Sequence, residues 1–97
     1  MTTTYLALLT YIRPIEELDT QLAAHRDWLN HGIAEGHILA AGRRVPRTGG
    51  VILARGASLE AVTAMLAEDP FQQHGLATAE LFPFEATLVA EGLQALL

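Results

Sequence analysis

Apolar positions along the chain follow two different periods. Tyr5-Leu-Ala-Leu-Leu-Thr-Tyr11 is β-prone and apolar on both alternating faces, which predicts a central strand covered on each side. Arg13-Pro14 ends it, because proline cannot serve a central strand and restricts the residue before it. From Ile15 to about Glu35 the period becomes helical. Ile15, Leu18, Leu22, Leu29 and Ile33 fall on one stripe at spacings of three and four, with a step of seven between Leu22 and Leu29. Glu16, Glu17 and Asp19 occupy the first turns, where the helix dipole favours acids, and Gly36 is suited to stop the helix.

The next segments return to strand chemistry. His37 to Arg43 reads as a strand ending at Gly42, Arg44 to Gly50 as a hairpin loop, and Val51 to Ala54 as the returning strand. Ser58 is placed to cap a second helix whose inward stripe is Leu59, Val62 and Leu66. Asp69-Pro70 opens a short turn or helix ending near Gly75, and Ala77 to Phe84 is a last strand closed by Pro83. The order β-α-β-β-α-β predicts an α+β, ferredoxin-like fold, an antiparallel sheet with two helices on one face. A single domain spans 1–97, with its core at about 4–85. The segment 86–97 is a tail, helix-prone from Leu88 to Leu97 though it contains Gly92, expected to pack on the partner subunit or on another dimer in a higher oligomer.

Composition changes this picture in one respect. Half of the 97 residues are hydrophobic, more than a domain this small can bury alone. The helix-free sheet face therefore needs a cover, most simply a second copy, and a homodimer is expected. The net charge is −5, with six arginines and no lysine. Such a balance disfavours nucleic acid as a partner. No apolar run reaches the roughly 20 residues of a membrane span, and the first residues lack a signal-peptide pattern. With no cysteine in the chain, a cytoplasmic location is expected.

Two residues stand out chemically. His25 fills the gap between Leu22 and Leu29, so it points with the leucines toward the sheet. An imidazole there is either a satisfied buried histidine or an acid or base in a pocket. Asp69 before Pro70 has the residue types preferred at a helix N-cap and first helical position. A carboxylate fixed in that way is also suited to orient a histidine. Trp28 and Phe71 either supply apolar surface near the pair or simply pack the core, Arg43 is either a clamp for a carboxylate or phenolate or a solvated loop arginine, and His74 either lines the pocket mouth or lies on the surface. No histidine pair at i, i+4, no thiol and no glycine-rich phosphate loop is present, so no metal and no nucleotide cofactor is expected.

An ordered set of motifs resembles the YCII-related family of the dimeric α–β barrel group. It comprises Ala24-His25-Arg26-Asp27-Trp28-Leu29, Glu35-Gly36-His37-Ile38-Leu39-Ala40-Ala41-Gly42, Gly49-Gly50-Val51-Ile52, Glu68-Asp69-Pro70-Phe71 and Leu81-Phe82-Pro83-Phe84. The resemblance implies a His25–Asp69 catalytic dyad. Some relatives are enzymes that dehydrochlorinate chlorinated aromatic-ring metabolites, and many have no assigned reaction. The loop Arg43-Arg44-Val45-Pro46-Arg47 is more basic than is common among them. The resulting expectation is a small cofactor-independent enzyme moving a proton on an aromatic-derived or lactone-like metabolite by elimination, isomerisation or hydrolysis. The alternative is a non-catalytic dimeric module that binds a small ligand or supports a partner protein.

Overall fold

Alternate residues of the first strand separate the two faces of the sheet. In the computed structural model, which describes residues 2–97, β1 (Thr3–Tyr11) buries Tyr5, Ala7 and Leu9 beneath the helices, while Leu6, Leu8 and Thr10 are half-buried on the opposite face. β1 pairs antiparallel with β3 (Gly49–Ala54) on one side and β4 (Ala77–Glu85) on the other, and β2 (Ile38–Arg43) pairs with β3 at the far edge. The strand order is β2-β3-β1-β4. Each strand–helix–strand unit thus leaves room for one antiparallel strand, which gives the split arrangement of the ferredoxin-like α+β fold.

The core lies between the sheet and two helices, α2 (Leu22–Ala34) and α3 (Leu59–Leu66). Tyr5, Ala7, Leu9, Ile38, Ile52 and Ala54 from the sheet meet Val62 and Leu66 of α3, with Trp28 and Leu29 of α2 packed against them. Ser58 caps α3 by accepting from the Ala61 N–H at 3.1 Å. A smaller cluster of Leu18, Phe71, Leu76 and Ala77 joins α1 (Ile15–Thr20) and α4 (Pro70–Gln73) to the start of β4.

The structure departs from the sequence reading at four points. The expected long first helix breaks at Gln21, whose φ of −112° and ψ of 7° leave the helical region. Thr20 turns its hydroxyl back onto the Glu17 carbonyl at 2.6 Å, a local bond that competes with helix continuation. At the far end of α2 the inward position is Gly32, not Ile33, which is exposed. A Cβ on Gly32 would stand 2.5 Å from Ile38 Cδ1, so the missing side chain is what lets α2 approach β2. Leu59, expected inside, is also exposed, since α3 is anchored by the buried Val62 and Leu66 with the half-buried Met65 beside them. Finally, β4 runs through Pro83 instead of stopping there, which an edge strand tolerates because it has ladder bonds on one side only. In the tail, the Arg55 guanidinium donates to the Ala95 carbonyl. No helix among the described residues is long and apolar enough to cross a membrane.

Candidate active site

Helical geometry sorts the side chains of α2 around His25. Each residue turns about 100° about the axis, so Leu22, Leu29 and Arg26 lie roughly 40–100° to one side of His25, and Gly32, Trp28, Glu35 and His31 roughly 20–120° to the other. Two clefts flank the helix accordingly. Leu22, His25, Arg26 and Leu29 line the first, together with Leu9, Tyr11, Ala41, Gly42, Arg43, Gly50, Ile52 and Phe71, around a volume of about 220 Å³. Trp28, His31, Gly32 and Glu35 line the second, against α3.

Asp69 reaches His25 because α4 begins there. Its side chain caps α4 by accepting from the Phe71 N–H at 3.0 Å, and Pro70 fills the first helical position. The same oxygen, Oδ1, lies 2.7 Å from His25 Nδ1. Asp69 is fully buried, while the His25 side chain is 13% exposed. A carboxylate can only accept, so the proton of this bond sits on Nδ1, and in the neutral ring the lone pair is then on Nε2. Nε2 makes no hydrogen bond among the described residues. The other carboxylate oxygen, Asp69 Oδ2, is buried without a partner. The two roles expected of Asp69, cap and partner to an imidazole, thus fall on a single oxygen atom.

Phe71 fixes the plane of the imidazole. The His25 and Phe71 rings are stacked at a centroid distance of 3.9 Å and an interplanar angle of 10°. Tyr11 then meets Phe71 edge-on at 5.8 Å. This sequence of contacts holds the ring from both the hydrogen-bonding edge and one face.

The remaining expected residues divide. Phe71 and Arg43 line the cavity with His25. Trp28 lies 6.2 Å from the His25 ring, centroid to centroid, but lines the second cleft. The reason is the helical angle, which carries position 28 away from the cavity as it carries 26 toward it. His74 is the exposed C-cap of α4 and does not line the cavity, because α4 spans a single turn and ends before it. Arg26 and Tyr11 are cavity residues that the sequence reading passed over. Arg26 was accessible from the helical wheel, whereas Tyr11 was hidden by its ordinary place at the end of a strand.

The basic loop after β2 is tied down beside the cavity. Arg47 Nη2 donates to Asp19 Oδ1 at 2.8 Å, and the guanidinium lies 5.9 Å from the centroid of Tyr11. The Asp19 carboxylate, with a smaller contribution from the Tyr11 hydroxyl, holds the Arg47 guanidinium above its ordinary range. Among the described residues no three His, Cys, Asp or Glu side chains converge as metal ligands.

A four-stranded antiparallel sheet of order β2-β3-β1-β4 packed under helices places the chain among the ferredoxin-like α+β proteins. Within that class, the YCII-related domain model matches residues 4–85, so this chain belongs to the YCII-related family. Among solved structures it is similar to 5-chloro-2-hydroxyhydroquinone dehydrochlorinase (TftG) from Burkholderia phenoliruptrix AC1100, determined in complex with 2,5-dihydroxybenzoquinone. That similarity has a TM-score of 0.72 at 20% identity and covers 84% of this chain and 92% of the other. It establishes the shared fold. No curated protein matches the sequence.

Proposed function

We propose that this protein is a small cofactor-independent enzyme in which His25 transfers a proton to or from a single-ring or lactone-like metabolite. The observation that carries the reading is the 2.7 Å bond between His25 Nδ1 and the buried Asp69, made on the wall of an unfilled cavity. With Nδ1 engaged, Nε2 is the nitrogen able to act as the base. Asp69 sets the tautomer and offsets the positive charge that the ring acquires when it takes a proton, as the buried carboxylate of a catalytic triad does. A cavity of about 220 Å³ is smaller than the roughly 300–1,000 Å³ of drug-sized sites, which limits the substrate to about one ring. Leu9, Leu22, Leu29 and Ile52 give it apolar walls.

Elimination suits such a site. Nε2 removes a ring or hydroxyl proton, the freed electron pair shifts into the ring, and a leaving group departs with its own bonding pair. The net loss is HX, and no redox partner is needed. The relative TftG is named for an elimination of this kind, and its substrate is the natural first compound to try. The test is to incubate the protein with 5-chloro-2-hydroxyhydroquinone and with unchlorinated hydroxyquinones, following chloride release and exchange of ring protons in D₂O. Turnover or exchange that disappears in His25→Gln is the expected result. A wild-type protein that matches His25→Gln with every compound defeats the proposal.

The reading includes a homodimer. The helix-free face carries Leu6, Leu8, Val51 and Leu53 half-buried, with Phe82 49% and Phe84 40% exposed. A second copy packed on this face would remove that apolar surface from water. Sedimentation equilibrium should give twice the chain mass at micromolar concentration, and a monomer there counts against it.

A further inference from the structure

We infer that the dyad cavity is built to receive an organic anion, held at its mouth by Arg26 and Arg43. The argument starts from what each of the six arginines does. Arg13 pairs with Glu17 and Arg47 with Asp19. Arg44 donates to the Thr10 hydroxyl and Arg55 to the Ala95 carbonyl. Arg26 and Arg43 have no hydrogen-bond or ion-pair partner among the described residues, and these two are the arginines that line the cavity. One comes from α2 and the other from the end of β2, so they approach from separate elements. Of the eleven acidic residues in the chain, none lines this cavity. In a chain of net charge −5, a cleft lined by two unpaired guanidiniums and by no acidic side chain, the nearest carboxylate being the Asp69 that bonds His25 from behind, is a local reversal of sign. Its walls are otherwise aliphatic and aromatic, which strengthens the attraction for an opposite charge.

A guanidinium offers a planar fork that fits two oxygens. The ligand is therefore a flat compound with an anionic oxygen at its edge, either a ring-borne carboxylate or an ionised ring hydroxyl. This deepens the proton-transfer reading and rests on it for one step. When Nε2 takes a proton, the charge left on the substrate spreads to a ring oxygen, which Arg26 or Arg43, lining the same cavity, would meet. Affinity for the anion does not depend on that step.

Binding can be measured on the intact protein by ¹H–¹⁵N NMR titration with benzoate, with its neutral isostere benzamide, and with the enolate of 2,5-dihydroxybenzoquinone. Gly42 and Gly50 report from within the cavity. Either anion should shift these amides at a concentration at least about tenfold below benzamide, and Arg26→Gln and Arg43→Gln should each weaken the anion by about tenfold while leaving benzamide unchanged, the loss expected for one charged hydrogen bond. Benzoate or the enolate binding alone tells carboxylate from ring oxyanion, and each supports the inference. Equal affinity for benzoate, enolate and benzamide overturns it, as do glutamine variants that bind both anions normally, or no shift with any probe. His25→Gln separates this from the catalytic reading: its anion affinity should persist at near the wild-type level even if no turnover is found in either protein.

Discussion

The two clefts beside α2 use the same helix and differ in almost everything else. The first is the smaller, about 220 Å³ against about 590 Å³, yet it holds the oriented chemistry. Its histidine is fixed by a buried carboxylate and a stacked ring, and its arginines lack internal partners. The larger cleft has its own histidines, His31 and His37, beside Glu35, Glu68 and Arg55. Those groups are mixed in sign and, apart from the half-buried Arg55, exposed, and the one close pair among them, His31 with Glu35, spans 3.7 Å between half- to three-quarters-exposed side chains. An exposed pair of that kind contributes little and orients nothing. Volume is therefore a poor guide to chemistry in this molecule. What matters is whether a titratable group is held by partners that leave its reactive atom free.

The sharpest way to break this contrast is to disturb one histidine on each side. Asp69→Asn should retain the α4 cap, because asparagine also accepts from the Phe71 N–H. It removes the charge opposite the imidazole and places an amide N–H where Asp69 Oδ2 lacks a partner. Turnover on an identified substrate should fall by about 10²–10⁴-fold, as for loss of an acid–base element. His31→Ala, in the second cleft, should leave turnover within about twofold, the behaviour of an exposed substitution away from the chemistry. Steady-state kinetics on the two variants settles the point. An Asp69→Asn enzyme with full activity would reduce Asp69 to a helix cap.

Phe71 tests the structural side of the first cleft. It is 1% exposed, stacks on His25 and anchors the second core cluster with Leu18, Leu76 and Ala77. Phe71→Ala should cost about 3–5 kcal/mol of unfolding free energy, the usual loss for a buried phenylalanine. Urea denaturation followed by circular dichroism reads this directly. A loss below about 1 kcal/mol would mean that the cavity wall collapses to fill the space.

How much of this was legible in the sequence follows from which signals are local. His25 was found because a seven-residue gap in an apolar stripe must be filled by position 25, and Asp69 because Asp-Pro is a helix-start signature. Both signals survive any error in the rest of the helix. The break at Gln21 was not legible, since it depends on Thr20 bonding to a carbonyl instead of extending the helix. Counting apolar residues also placed Ile33 inside, because a glycine contributes nothing to such a count. Gly32 acts by having no side chain, and Ile38, six residues ahead, occupies the space. Helical spacing puts Trp28 on the edge of the His25 stripe, and its ring does lie 6.2 Å from the imidazole, but on the side of the helix that faces the second cleft.

Gly32 gives a prediction of intermediate size in the second cleft. Gly32→Ala ordinarily stabilises a helix interior by about 0.5–1 kcal/mol. Here the added Cβ would lie 2.5 Å from Ile38 Cδ1 and 2.9 Å from its Cγ1, so α2 or Ile38 must shift. Overpacking of this kind costs about 1–3 kcal/mol, and a net loss of about 1–2 kcal/mol in urea denaturation is expected. Ile38→Val alongside Gly32→Ala should recover part of it. A stabilised single variant would show that Ile38 rotates away freely.

The smallest effect belongs to the Arg47–Asp19 pair at the edge of the first cleft. Asp19 is 49% exposed at the side chain and Arg47 24%, so solvent and salt screen the interaction. Arg47→Gln should cost less than about 1 kcal/mol, and the difference from wild type should shrink further in 1 M salt. Its pH behaviour follows from the sign of the shift. The guanidinium is held above its ordinary range, so wherever the Asp19 carboxylate is ionised its contribution is complete below that range and is lost only as the pH rises through the still higher folded value. Both limits lie above the pH at which proteins of this kind are handled. The stability difference between Arg47→Gln and wild type should therefore be flat with pH from about 6 to 9. The same variant loosens the loop that follows Arg43 at the end of β2, because Arg47 ties that loop to α1 through Asp19. If Arg43 depends on that tie to meet an anion at the cavity mouth, Arg47→Gln should weaken benzoate binding by about two- to threefold at low salt, roughly the worth of one exposed ion pair, and benzamide binding not at all. Benzoate affinity that is identical in the two proteins at low salt would show that the loop holds Arg43 in place through its backbone alone.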